Sequence, residues 1–309
     1  MALSPEELRS ELRGLFSFPV TAFTESLQID LDRYREHVAW MVKGQPAALF
    51  ACGGTGEFFS LGLDEFRSLV KAAVEEVHGR LPVIAGVGYG TQLALSFVKA
   101  AEDSGADGLL VLPPYLLQAE QQGLYEHYRR IAGRTHLGLI IYQRDNAIFG
   151  PATVERLCEL KNVIGFKDGH GNMELLLRIQ KQVGDRLAII NGMPTAELSA
   201  AAFKGLGITN YSSAVFNFVP AIARAFYDAL VEGDGPAMDR LLGAFYRPLA
   251  DLRDRKKGYA VSAIKAGLRA VGKPAGPVRP PLVDCSPEEE GLIKRMIEQG
   301  MAAVEGGEK

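Results

Sequence analysis

Cysteine is scarce and scattered: Cys52, Cys158 and Cys285 form no CxxC pair and leave an odd count, which argues against a disulfide framework and against a structural zinc site. Histidine is equally thin. His37, His78, His127, His136 and His170 show no metal-ligand spacing, and only His170 falls at a predicted strand end, so an aldolase of the divalent-metal kind is disfavoured and no metal is expected. Basic charge is missing too. With 34 Lys and Arg against 37 Asp and Glu, the net charge of −3 gives no footprint for nucleic acid or an anionic membrane, which leaves small molecules as the expected partners. Long apolar runs are absent, and the stretch from Met1 to Gly14 is charged with no apolar core. No secretory or membrane-spanning segment is therefore expected, and the chain reads as cytoplasmic.

What the chain does have is a repeating texture. At 47% hydrophobic and 23% charged residues it has an ordinary globular balance. Short apolar or β-branched runs recur at residues 15–20, 48–52, 82–86, 108–112, 137–142, 163–167, 187–191 and 207–211, about 20 to 35 residues apart, with room for one helix in each gap. Helical periodicity fills those gaps at 31–43, 64–78, 91–104, 121–132, 153–160, 172–183 and 194–204. Eight βα units predict an α/β fold of the (β/α)8 TIM barrel type.

After about residue 218 the strand signal stops, and helices are expected at 220–232, 236–253, 259–271 and 287–304. The first completes the barrel. The domain expectation is thus a (β/α)8 barrel with a short N-terminal helix over 1–232 and a C-terminal helical subdomain over 233–309. Ser4-Pro5-Glu6-Glu7 and Ser286-Pro287 with Glu289 read as capped helix starts with proline at the first position. The Pro/Gly-rich segment 272–281 is too short for an independent linker and is expected to pack on the barrel.

In such a barrel the chemistry belongs at the C-terminal ends of the strands. The run Val163-Ile164-Gly165-Phe166-Lys167-Asp168 closes on a lysine and is followed by Gly169-His170-Gly171-Asn172. Desolvation at that place lowers a lysine pKa and frees amine to attack a carbonyl and form a Schiff base. A strand-end lysine that merely reaches solvent fits the same segment. Tyr142 closes the preceding strand, so a phenol able to donate and accept protons stands beside the amine; alone it would pass for a packing residue. After the second strand, Gly53-Gly54-Thr55-Gly56-Glu57 offers backbone amides and the Thr55 hydroxyl to a carboxylate, although such turns are often simple loop geometry. Asp168 and Glu57 are read as loop anchors or helix caps before they are read as bases. Cys52, Met173 and Met193 are expected to fill space.

Gly53-Gly54-Thr55-Gly56-Glu57, the strand-five Tyr142 and Gly165-Phe166-Lys167-Asp168 together resemble the dihydrodipicolinate synthase and N-acetylneuraminate lyase superfamily, class I Schiff-base lyases built on a (β/α)8 barrel. The resemblance covers essentially the whole chain. Phe16-Ser17-Phe18-Pro19-Val20-Thr21, Gly56-Glu57-Phe58-Phe59-Ser60, Tyr142-Gln143-Arg144-Asp145-Asn146-Ala147 and the stretch from Asn210 to Phe218 resemble more narrowly the 5-dehydro-4-deoxyglucarate dehydratase branch. Departures point the same way. The synthase turn usually carries threonine where Gly54 stands, the tyrosine given by a neighbouring subunit is replaced by Leu116, and a carboxylate-binding arginine is replaced by Ala147.

The resemblance implies Lys167 as Schiff-base nucleophile, Tyr142 as proton-transfer partner, and Gly54 and Thr55 as the site of the carboxylate beside the ketone. Arg144, Asn191 and Ser212 are further substrate-binding candidates from their strand-end positions. It also implies a decarboxylating hydro-lyase of D-glucarate and galactarate catabolism that needs no cofactor beyond the covalent imine, with a sugar-acid substrate and a homo-oligomeric state, dimer or tetramer. Two other readings stay open: another class I Schiff-base lyase, such as a pyruvate-dependent aldolase or synthase, and a barrel that binds a sugar acid without turning it over.

Overall fold

The computed structural model describes residues 3–306; residues 1–2 and 307–309, at the outer ends of the two expected domains, lie outside the described residues. In chain order the barrel elements are α1 (Pro5–Glu11), β1 (Leu15–Phe16), α2 (Leu31–Lys43), β2 (Leu49–Ala51), α3 (Leu63–Val77), β3 (Val83–Val87), α4 (Thr91–Asp103), β4 (Gly108–Val111), α5 (Gln121–Ala132), β5 (Gly138–Gln143), α6 (Pro151–Leu157), β6 (Val163–Asp168), α7 (Met173–Val183), β7 (Ala188–Asn191), α8 (Ala200–Gly205), β8 (Tyr211–Ser212) and α9 (Pro220–Glu232). The C-terminal helices are α10 (Gly235–Leu241), α11 (Arg247–Arg253), α12 (Tyr259–Ala270) and α13 (Pro287–Glu305). Strands β2 to β8 pair in parallel in sequence order, β8 pairs β1, and a bridge between Ser17 and Leu49 returns β1 to β2. The result is the expected (β/α)8 barrel with a helical C-terminal part.

Local signals place the elements. Ser4 and Glu7 exchange the two hydrogen bonds of a capping box ahead of α1, and Ser286 and Glu289 do so ahead of α13. On α3, Phe66, Leu69, Val70, Ala73 and Val77 recur at helical period and are buried against the sheet. The strands are buried on both faces, which makes them continuous apolar runs. Inside the barrel, Phe16, Phe50, Ile84, Leu110, Ile140, Ile164 and Ile190 form a second core, and Leu8 and Leu12 from the N-terminal segment join it. Each buried leucine there contributes roughly 1.5–3 kcal/mol.

Several expectations need correction in detail. Strand eight pairs only at Tyr211 and Ser212, not over 207–211: Gly207 takes φ +78°, and the Asn210 side chain accepts from Gly14 N at 2.9 Å and donates to Ile189 O. The helix expected over 194–204 begins as a 3₁₀ turn, Ala196–Ser199, because Thr195 sits at φ +48°. Between α10 and α11 the turn Leu242–Tyr246 widens to π geometry just ahead of Pro248, which has no N–H for an ordinary helical bond.

The segment 272–281 packs on the barrel, against the loops that follow β1 and β2. Ala275 O accepts from Phe23 N at 3.0 Å, Arg279 N donates to Glu57 at 3.0 Å, and the Arg279 guanidinium lies 4.2 Å from the centre of the Phe23 ring. Beneath it Lys265 of α12 pairs with Glu57 at 2.8 Å, both completely buried. The C-terminal helices are thereby fixed to the loop that follows β2.

Candidate active site

Strand parity decides where Lys167 points. Ile140 and Tyr142 of β5 belong to the inner core, and so does Ile164 of β6; unbroken alternation would then turn Phe166 inward and Lys167 out. A bulge intervenes. Leu139 pairs with Val163 but Ile140 with Gly165, and a Cβ on Gly165 would stand 3.1 Å from Ile140 Cγ1, so Ile164 and Gly165 both face the interior. One extra residue exchanges the faces beyond it. Phe166 accordingly joins the outer core, and Lys167 enters the barrel mouth opposite its register partner Tyr142.

Lys167 is 4% exposed, and its Nζ lies 4.1 Å from the centre of the Tyr142 ring and 4.6 Å from that of Phe18. Burial lowers its pKa; the Tyr142 phenol opposes the shift and Arg144 adds to it, and the net direction is down. Tyr142 donates its hydroxyl to Gly192 O at 3.1 Å and accepts from Arg144 Nη1 at 3.3 Å. Burial alone would raise the phenol, but Lys167 and Arg144 outweigh it and hold its pKa below the ordinary value. Gly192 is required here, since a Cβ would come within 2.7 Å of Lys167 Cγ. The result is a desolvated amine whose next neighbour is an acidified phenol.

Above the amine opens a cavity of about 390 Å³. Gly54, Thr55, Tyr142, Arg144, Lys167 and Ser212 all line it. Asn191 does not. Its amide donates to Ala196 O and Ser199 Oγ, each at 3.1 Å, and its oxygen accepts from Met193 N at 3.0 Å, so this strand-end residue shapes the turn after β7 and is withdrawn as a ligand for substrate. Asp168 is likewise a loop anchor: it accepts from Gln143 Nε2, His170 N and Gly171 N. Met193, expected to pack, lines the cavity.

Other lining residues carried no signal in the strand-end reading. Phe18 follows the β1 pairing by two residues and forms part of the floor under Lys167. Thr195 lies past the end of β7, and Arg253 comes from α11, outside the barrel altogether. Only a rule that looked beyond the strands would have found Arg253. Among the described residues no group of three or more His, Cys, Asp or Glu is placed to hold a metal, and no helix is long and apolar enough to cross a membrane.

Residues 11–300 match the model of the dihydrodipicolinate synthetase family. The chain belongs to that family. It is 50% identical over 298 residues to a protein of Rhizobium meliloti named a probable 5-dehydro-4-deoxyglucarate dehydratase, a match covering 96% of this chain and 99% of the relative. A protein of the same name from Rhizobium rhizogenes is also 50% identical, over 97% of this chain and 100% of its own length. Among solved structures, the dihydrodipicolinate synthase of Bacillus clausii superposes with a TM-score of 0.87 at 28% identity, covering 94% of this chain and 98% of that one. The family fold and the barrel described above are one architecture.

Proposed function

We propose that this protein is a decarboxylating hydro-lyase that converts 5-dehydro-4-deoxy-D-glucarate into 2,5-dioxopentanoate, carbon dioxide and water through an imine on Lys167. What carries the reading is the desolvated Lys167 amine at the cavity floor, in a chain half identical over its length to proteins named for this reaction. The amine adds to the C5 ketone, and loss of water from the carbinolamine gives an iminium. Tyr142, within reach of that nitrogen, passes the protons. The iminium acidifies C4; the enamine that forms expels the C3 hydroxyl as water and leaves a C3=C4 double bond conjugated with the iminium. Cleavage of the C1–C2 bond then releases carbon dioxide, and its electrons run through C2, C3 and C4 to the nitrogen. Protonation and hydrolysis free the lysine, and the C2 enol becomes the aldehyde. The imine is itself the electron sink, so the reaction calls for no further cofactor.

In this reading the C6 carboxylate rests on the turn at Gly54 and Thr55, where, among the described residues, neither the two amides nor the Thr55 hydroxyl has a hydrogen-bond partner. Ser212 and Arg144 add further polar groups to the lining. The division into a barrel over 1–232 and a helical subdomain over 233–309, a cytoplasmic location and a homo-oligomeric state belong to the same reading. The family membership and the fold shared with dihydrodipicolinate synthase support it.

The test is borohydride reduction in the presence of the diacid, with assays of both candidate reactions. Wild-type protein should gain the mass of a reduced adduct at Lys167 and release carbon dioxide with the dioxo acid; Lys167→Ala should do neither while remaining folded. An adduct mapped to another lysine in the Ala variant would remove Lys167 from the reaction. Condensation of pyruvate with aspartate semialdehyde at a rate equal to the dehydration would transfer the protein to the synthase branch.

A further inference from the structure

The substrate read above is a diacid, and its keto end accounts for only one of its carboxylates. Among the cavity-lining residues the cationic side chains are Lys167, Arg144 and Arg253. Lys167 is the nucleophile of the proposed reaction, and Arg144 stands 3.3 Å from the Tyr142 hydroxyl, so both serve the keto end. Arg253 is different. It rises from the last turn of α11 into the wall that the C-terminal helices build, among Leu249, Val261, Ile264 and Leu282, with its side chain only 18% exposed.

The guanidinium there is held but not exhausted. Nε and Nη2 donate to the two Asp254 oxygens at 2.7 and 2.9 Å, and Nη1 donates to Thr195 Oγ1 at 2.5 Å, so among the described residues one N–H on each terminal nitrogen has no partner. One donor on each terminal nitrogen is what a guanidinium needs to hold a carboxylate in two-point fashion. Thr195 is a second, independent sign. It lines the same cavity at φ +48°, a backbone conformation that a β-branched residue rarely adopts and that tends to persist where a site needs it.

The geometry points to Arg253, steadied by Thr195 and Asp254, as the residue that recognises the substrate's far carboxylate, the one at C1, and so sets the preference for a diacid over a keto acid with an uncharged tail. The inference rests on the Schiff-base reading above. The pairing with Asp254 also suits a carboxylate that must depart. A neighbouring negative charge offsets the guanidinium, so the fork orients the group without the full attraction of an isolated cation, which would favour bound carboxylate over carbon dioxide.

The experiment uses two keto acids that form an imine but have no hydroxyl to lose: 2-oxoadipate, with both carboxylates, and 2-oxohexanoate, in which a methyl group replaces the far one. Half-saturating concentrations for borohydride trapping are measured on wild type and on Arg253→Gln. Wild type should favour the diacid by about 10- to 100-fold, the range expected of a charged hydrogen-bonded pair, and the variant should lose most of that preference, with its trapping of the diacid weakened far more than that of 2-oxohexanoate. An undiminished preference, or equal weakening toward both acids, overturns the proposal. If the Gln variant traps neither acid, the comparison moves to Arg253→Lys, which keeps a charge but not the flat fork; a wild-type preference there overturns it as well. Failure of wild type to trap either acid overturns the imine reading itself, an outcome distinct from loss of the preference alone.

Discussion

The Tyr142 ring lies 4.1 Å from the Lys167 ammonium, and the two residues are register partners on neighbouring strands. The sheet itself therefore sets the pairing of phenol and amine. Replacing Tyr142 by phenylalanine keeps the ring that the ammonium packs on and removes only the hydroxyl held between Gly192 O and Arg144. The expected result is a fall of about 10²- to 10⁴-fold in kcat with a smaller change in KM. Single-turnover measurements, in which chemistry limits the rate, check it; a wild-type rate would leave Tyr142 a packing role only.

Arg144 tunes both partners. Burial is the main force lowering the Lys167 pKa, and Arg144 pushes in the same direction; it also lowers the phenol of Tyr142. In the proposed reaction the amine attacks only when neutral, so imine formation should rise as pH climbs through the Lys167 pKa, which lies below that of a free lysine. Arg144→Met removes a positive charge and lets both pKa values rise. The pH–rate profile of trapping should therefore move to higher pH, with its plateau less affected than its position. A profile fixed in place would show that Arg144 binds substrate without tuning the amine.

Much of this was legible in the sequence because periodicity and strand-end position are read directly from residue order. The eight apolar runs, the capped helices at Ser4 and Ser286 and the closing positions of Tyr142 and Lys167 are features of that kind. The bulge at Ile164 and Gly165 is not, since it depends on how one strand seats against the next. Asn191 misled for a related reason: the end of a strand has two faces, and its side chain turns away from the cavity to hold the loop after β7. Arg253 could not be found from the strands, because the wall it occupies exists only once the C-terminal helices fold back over the barrel.

Lys265 and Glu57 test that union of helices and barrel. Both are completely buried at a separation of 2.8 Å, Lys265 also donates to Pro277 O at 2.7 Å, and Glu57 lies two residues beyond Thr55. Lys265→Met strands a buried carboxylate and should lower stability by about 3–5 kcal/mol. Adding Glu57→Gln to that variant removes the orphaned charge and should restore part of the loss. Denaturant unfolding of the two single variants and the double variant gives the coupling; strictly additive losses would mean that the pair is not an energetic unit.

Glu197 gives the fold a pH dependence of its own. The residue is 2% exposed in the 3₁₀ turn after β7, and burial raises its pKa to about 7, against the pull of the Ser213 hydroxyl that donates to it at 2.5 Å. A carboxyl whose folded pKa exceeds its unfolded value of 4.5 binds its proton more tightly in the native state. Its contribution to stability is therefore complete below about pH 4.5, declines as pH rises from there to about 7, and is gone above that range. The size of the change is about 3 kcal/mol. Glu197→Gln has no proton to lose and should be spared this decline, so the stability of the variant relative to wild type should improve by that amount between pH 4.5 and 8. Unfolding curves at the two pH values decide the matter: a difference between variant and wild type that does not change with pH would mean that Glu197 stays charged in the folded protein, stabilised by the hydroxyl groups around it.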